Sequence, residues 1–114
     1  MELLKNRIAQ MLPAVREQRT HLLKEQGENV IANVTVEQVI GGMRGIPSVL
    51  CDTSSVSADE GLRIRNIPIL ELTDKTPEEI FFLLVTGAMP TDEEHAEMKR
   101  LFNANASVPD YVIT

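Results

Sequence analysis

The stretch Thr76–Glu94, TPEEIFFLLVTGAMPTDEE, holds the local grammar that decides the fold. Thr76 precedes Pro77, and Glu79 follows three positions after the threonine. In such a capping box the hydroxyl accepts the third N–H of the helix, and the glutamate reaches back to the threonine N–H. Proline suits the first helical position because its missing N–H would have no helical partner there. The run IFFLLVT is apolar nearly all round, which predicts a helix buried on most sides. Gly87 supplies its stop. TDEE repeats the start signal with Thr91 and Glu94. The spacing predicts helices over 77–86 and 92–103, the second amphipathic through Ala96, Met98, Leu101 and Phe102.

Working back towards the N-terminus, Leu3, Leu4, Ile8, Met11 and Leu12 share one helical face. Pro13 cannot occupy a helix interior without loss of a backbone bond, so two helices are expected, over 2–12 and 13–26. Gly27 is expected to stop the second in a left-handed conformation. VIANVTV, residues 30–36, is β-branched and reads as a short strand, and a helical turn through EQVIGG follows. Residues 48–56 and 61–66 read as a β-hairpin around SADEG, with Arg63 and Arg65 on its open side. The fold class is mainly α with a small hairpin or sheet near residues 30–66. After the last predicted helix, NANASVP is a loop. DYVIT opens an element without a stop signal, so the chain reads as the opening segment of a larger protein.

The totals narrow the function classes. The chain has 114 residues, one cysteine and a net charge of −6. Up to Asn66 there are eight basic and eight acidic residues; beyond it there are three and nine. The acidic second part disfavours nucleic acid, whose binding depends on neutralised phosphates. No apolar run reaches the roughly 20 residues of a membrane span. No signal or transit peptide is recognisable, and the lone cysteine fits a reducing compartment, so a cytoplasmic location is expected.

Few residues invite a chemical reading. His21 and His95 are far apart on charged helices and read as surface histidines, with no metal site. Cys51 reads as a small hydrophobe in a strand. Ser54 and Ser55 lack the setting of an activated nucleophile. The carboxylates at Glu78–Glu79 and Asp92–Glu94 sit in first helical turns, where exposed N–H groups favour negative charge. That leaves Gly41–Gly45, GGMRG. Glycines let the backbone approach a ligand, and N–H groups of such a loop can cradle oxygens. Arg44 beside them offers a bidentate fork for phosphate. A structural turn with Arg44 in an intramolecular ion pair is the competing reading.

VTVEQVIGGMRGIPSVLCDTSSVSADEGLRIRNIPILEL, followed by PEEIFFLLVTGAMPTDEE, resembles the N-terminal region of citrate synthases of the type shared by mitochondria and some bacteria. The matching motifs are Gly41–Gly45, Thr53–Arg65 and Leu83–Thr91. The Leu12–Pro13 joint resembles the family's first-helix break. After Arg65 the family usually has Gly and an aromatic; here Asn66 and Ile67 stand.

The resemblance implies that residues 1–114 form the N-terminal segment of the large domain of a mostly helical, homodimeric enzyme. The family joins acetyl-CoA to oxaloacetate to give citrate, using one aspartate and two histidines and no cofactor beyond the coenzyme A of its substrate. None of those catalytic residues has a counterpart here. Arg44 corresponds to an arginine that contacts the CoA phosphates, while Arg63 and Arg65 are expected in structural ion pairs. A mitochondrial matrix location applies if the source is eukaryotic. A free-standing CoA- or phosphate-binding module, a dimerisation piece and a segment of 2-methylcitrate synthase are the alternatives.

Overall fold

The computed structural model describes residues 1–47 and 49–113. It is mainly helical. Helix α1 (Glu2–Gln26) leads to a short α2 (Val36–Ile40), then strands β1 (Ser54–Ser57), β2 (Gly61–Ile64) and β3 (Ile67–Pro68). A 3-10 turn, Ile69–Leu72, enters α3 (Pro77–Thr86), followed by α4 (Asp92–Ala104) and α5 (Asp110–Ile113).

The core forms where α1, α3 and α4 meet. Leu4, Phe82 and Met98 are buried together, with Ile8, Val85, Leu101 and Phe102 packed around them. Phe81 meets Phe102 edge-on with ring centroids 5.4 Å apart. Both predicted capping boxes are present: Thr76 with Glu79 starts α3, and Thr91 with Glu94 starts α4. Gly87 closes α3 at φ 77°, the left-handed region its lack of a Cβ makes accessible. Glu94 also receives Arg7 of α1 through two bonds of 3.0 and 3.1 Å. Glu97 accepts the N–H groups of Leu3 and Leu4 at the start of α1. Two acidic side chains of α4 therefore seat the first turns of α1.

Several expectations are corrected. α1 runs unbroken through Pro13. The proline removes the bond to the Ala9 carbonyl, but both residues are exposed, so water can take that carbonyl. Gly27 is right-handed, at φ −60°, and ends the helix with its N–H on Leu23 O. Its need for glycine is steric, since an added Cβ would run into the Leu23 carbonyl. Residues 30–35 form no strand; β-branched side chains there find no neighbouring strand to pair with.

The hairpin is real but shorter than expected. β1 and β2 pair antiparallel, from Ser54 with Ile64 to Ser57 with Gly61. The expected strand over 48–56 begins only at Ser54, and its first residue, Ser48, lies outside the described residues. β3 adds a third strand, Ile64 pairing with Ile67 across the two-residue turn Arg65–Asn66. Both turn residues have positive φ, 47° and 67°, as the tight turn of a twisted hairpin requires. Asparagine tolerates this conformation better than most residues, so Asn66 fits where the resembling family carries glycine.

The molecule is not drawn into a ball. Its radius of gyration is 18.8 Å, against about 13 Å for a compact domain of this length. From Leu12 onward α1 is exposed, including Val15, Leu22 and Leu23. Val30, Ile31 and Leu50 are also in the open.

Candidate functional site

The GGMRG loop begins at the end of α2. Thr35 caps this helix, its hydroxyl accepting the Gln38 N–H while the Gln38 side chain accepts the Thr35 N–H. The signal was present as TVEQ, a threonine followed three positions later by glutamine; its first two residues lay in the stretch read as a strand, its last two in the helical turn expected through EQVIGG. At the other end, the Met43 N–H donates to Gln38 O at 2.7 Å and the Gly42 N–H to Val39 O at 3.2 Å. That pair of bonds is the Schellman closure, and it needs a left-handed residue just after the cap. Gly42 fills that place at φ 76°. Met43 at 60° and Gly45 at 78° keep the chain in the same unusual region.

This geometry bears on both readings of Arg44. The N–H groups of Gly41, Gly42 and Met43 are spent on carbonyls of α2, and that of Ile46 on Met43 O. Among the described residues only the Arg44 and Gly45 N–H groups of the loop lack a backbone partner. Arg44 is exposed. Among the described residues it makes no ion pair, so the competing reading of a turn closed by an Arg44 salt bridge is not realised. The arrangement can offer a guanidinium and two N–H groups to an anion from solvent.

Arg63 and Arg65 do form ion pairs. Arg63 bonds Glu60 at 3.2 Å and the Asn66 carbonyl at 2.7 Å, folding back over its own turn. Arg65 was expected on the open side of the hairpin. Its positive φ takes it out of the strand alternation, and its side chain is only 16% exposed. The guanidinium bonds Asp52 Oδ2 at 2.7 Å and, through its other edge, Leu84 O at 2.6 and 3.1 Å. Leu84 lies in the last turn of α3, where carbonyls lack helical donors and carry the negative end of the helix dipole.

The remaining candidates are structural or superficial. His21 pairs with Glu25 on the exposed part of α1. His95 lies 3.0 Å from the Thr76 hydroxyl and ties α4 to the cap of α3. Ser54 and Ser55 are in β1. No metal-binding group occurs among the described residues. Among the described residues no helix is long and apolar enough to cross a membrane.

Cys51 departs from its expectation as a small hydrophobe in a strand. It is exposed and outside any strand. Its Sγ lies 3.3 Å from the Thr53 hydroxyl and 3.7 Å from Ser54 O. Hydrogen bonding from Thr53, then from the backbone at Ser54 and Thr53, brings the thiol down to about 7. CDTSS holds the small hydroxyl residues responsible, but only the turn brings them onto the sulfur.

Comparison with known proteins places this geometry. Residues 42–114 match the family model described as citrate synthase, C-terminal domain. The chain is 36% identical over 120 positions to citrate synthase, mitochondrial, of Saccharomyces cerevisiae, covering 96% of this chain and 25% of the yeast protein. It is 33% identical to citrate synthase 4, mitochondrial, of Arabidopsis thaliana, covering 96% of this chain and 25% of that protein. It is 32% identical to the probable citrate synthase, mitochondrial, of Glossina morsitans morsitans, covering 97% and 26%. The chain thus spans about a quarter of the length of these curated relatives. With more than half of its residues matched by the family model, and with relatives at 32–36% identity covering nearly all of it, the chain belongs to the citrate synthase family.

Proposed function

We propose that this segment serves a homodimeric enzyme that condenses acetyl-CoA with oxaloacetate to give citrate and CoA. It is the N-terminal part of the large domain, carrying scaffold and part of the coenzyme A site. Arg44 contacts the CoA phosphates. The observation behind this reading is an exposed arginine without an ion pair, held on a glycine loop in a chain of this family. A guanidinium matches phosphate geometry with two parallel N–H donors, and exposure leaves it accessible to a large substrate.

The carbon–carbon bond is formed by groups outside this chain. His21 and His95 are engaged by Glu25 and Thr76. The segment alone is therefore inactive: acetyl-CoA and oxaloacetate added to it release no free CoA thiol. The family's relatives are named for citrate synthase, which favours oxaloacetate and citrate over the 2-methylcitrate reaction. Coenzyme A enters as part of the substrate, and no separate cofactor is required. The relatives are named as mitochondrial; a mitochondrial matrix or a bacterial cytoplasm is the location proposed for this chain, and an exposed free thiol suits a reducing compartment.

Steady-state kinetics test the reading. In the active enzyme that carries this segment, Arg44→Ala is expected to raise KM for acetyl-CoA about tenfold and leave kcat within about twofold, the signature of lost uniform binding. An unchanged KM for acetyl-CoA would overturn the assignment of Arg44. Saturable CoA binding by the isolated chain, abolished by the same substitution, would instead favour a free-standing binding module.

A further inference from the structure

The inference deepens the reading of Arg44 and rests on it. The loop that carries Arg44 is weakly held on its N-terminal side, because α2 buries none of its residues. On its C-terminal side, Val49–Asp52 are exposed and irregular. Among the described residues, the hydrogen bonds that tie the run between Ile46 and β1 to the rest of the chain all come from Arg65, apart from the local contact of Cys51 Sγ with Ser54 O at the start of β1. The Arg65 N–H donates to Thr53 O at 2.9 Å, and its guanidinium donates to Asp52 Oδ2 at 2.7 Å and Asp52 O at 3.4 Å. The opposite edge of the same fork is seated on Leu84 O. Leu84 is flanked by Leu83, fully buried in the most apolar helix of the molecule. The Ala88 N–H, which would reach this carbonyl in a longer helix, goes to the Thr86 hydroxyl instead.

One planar group thus joins the rigid end of α3 to the tether of the glycine loop. We propose that Arg65 is a positioning residue for the coenzyme A site: by holding Asp52 against the end of α3 it sets where Arg44 presents its guanidinium. Lysine cannot replace it, because a point charge cannot engage a carboxylate and a carbonyl through two fixed edges. Misplacement of a binding group by about 1 Å is enough to weaken its contact.

Two measurements test this. A nitroxide attached to Cys51, the sole cysteine and the neighbour of Asp52, reports motion of the tether in the 114-residue chain. Arg65→Gln and Asp52→Ala are each expected to narrow its resonance lines relative to the labelled parent chain. Asp52 is 79% exposed, so its truncation leaves the core intact and covers the case in which Arg65→Gln fails to fold. In the active enzyme both variants are expected to raise KM for acetyl-CoA about fivefold with kcat nearly unchanged, while Arg65→Lys gives no rescue. Unchanged line shapes in both variants overturn the clamp. A KM that rises for Arg44→Ala but not for Asp52→Ala or Arg65→Gln overturns the positioning role. A KM that ignores Arg44→Ala sinks the reading of Arg44 itself, which the spectra do not depend on.

Discussion

Cys51 shows how much a single side chain depends on two neighbours, Thr53 and Ser54. A thiol ordinarily loses its proton near pH 8.5. Here hydrogen bonding from Thr53 and the adjacent backbone stabilises the thiolate and brings the group to about 7. The thiolate is the reacting form, and the sulfur is exposed. Alkylation by iodoacetamide is therefore expected to be half-maximal near pH 7, and Thr53→Val is expected to move the midpoint back towards the ordinary thiol value. A midpoint unaffected by the substitution would remove Thr53 as the cause. Arg65 teaches the same lesson. The alternation of LRIR put it on the open face of a hairpin, and a positive φ at the turn redirected it to the end of α3.

At the scale of elements, the same capping motif has different consequences in different places. Thr76 and Thr35 cap α3 and α2 with the same reciprocal pair of bonds. α3 carries Phe82 and Leu83 into the core, whereas α2 buries nothing. Thr76→Ala is expected to destabilise the fold by about 1 kcal/mol and lower the melting temperature by about 4 °C. Thr35→Ala removes an equivalent cap yet leaves the main thermal transition in place, because α2 can melt without opening the core. Thermal circular dichroism of the two variants side by side checks this; equal losses would show that α2 is coupled to the core. Capping chemistry was legible from sequence because it is local, with donor and acceptor three residues apart. Failure to end α1 at Pro13 has the converse cause. An exposed proline leaves a carbonyl that water can satisfy, and exposure is not a local property of sequence.

For the whole molecule, carboxylates at the helix joints set the response to acid. The bond from Arg7, followed by the Thr91 N–H, holds Glu94 below the usual carboxylate range, with burial opposing. The Thr76 N–H does the same for Glu79. A folded-state value below the unfolded one means that the unfolded chain binds more protons in the interval between them, so stability rises with pH there. This contribution is complete above the unfolded carboxylate value of about 4.3, and it is lost as pH falls through the depressed folded values. Melting temperature is expected to fall steeply below about pH 4. Glu94→Gln should be less stable than the parent at pH 7 and converge with it in acid. Parallel curves for the two proteins would remove Glu94 from the acid response.

The sequence by itself determined the helical class, the two capped helices, their apolar faces and the family, because each rests on spacings within a few residues or on motifs read in order. It also singled out Arg44, whose glycine neighbours announce an unusual backbone. Tertiary structure alone decided which charges meet. Arg7 finds Glu94 across 87 positions, and Arg65 finds Leu84 O across 19. It decided, too, that Arg44 stays without an ion pair among the described residues while Arg63 and Arg65 are engaged. Three arginines with similar sequence surroundings have different fates because a guanidinium takes whichever acceptors the fold brings within its reach, and that distance is a property of packing.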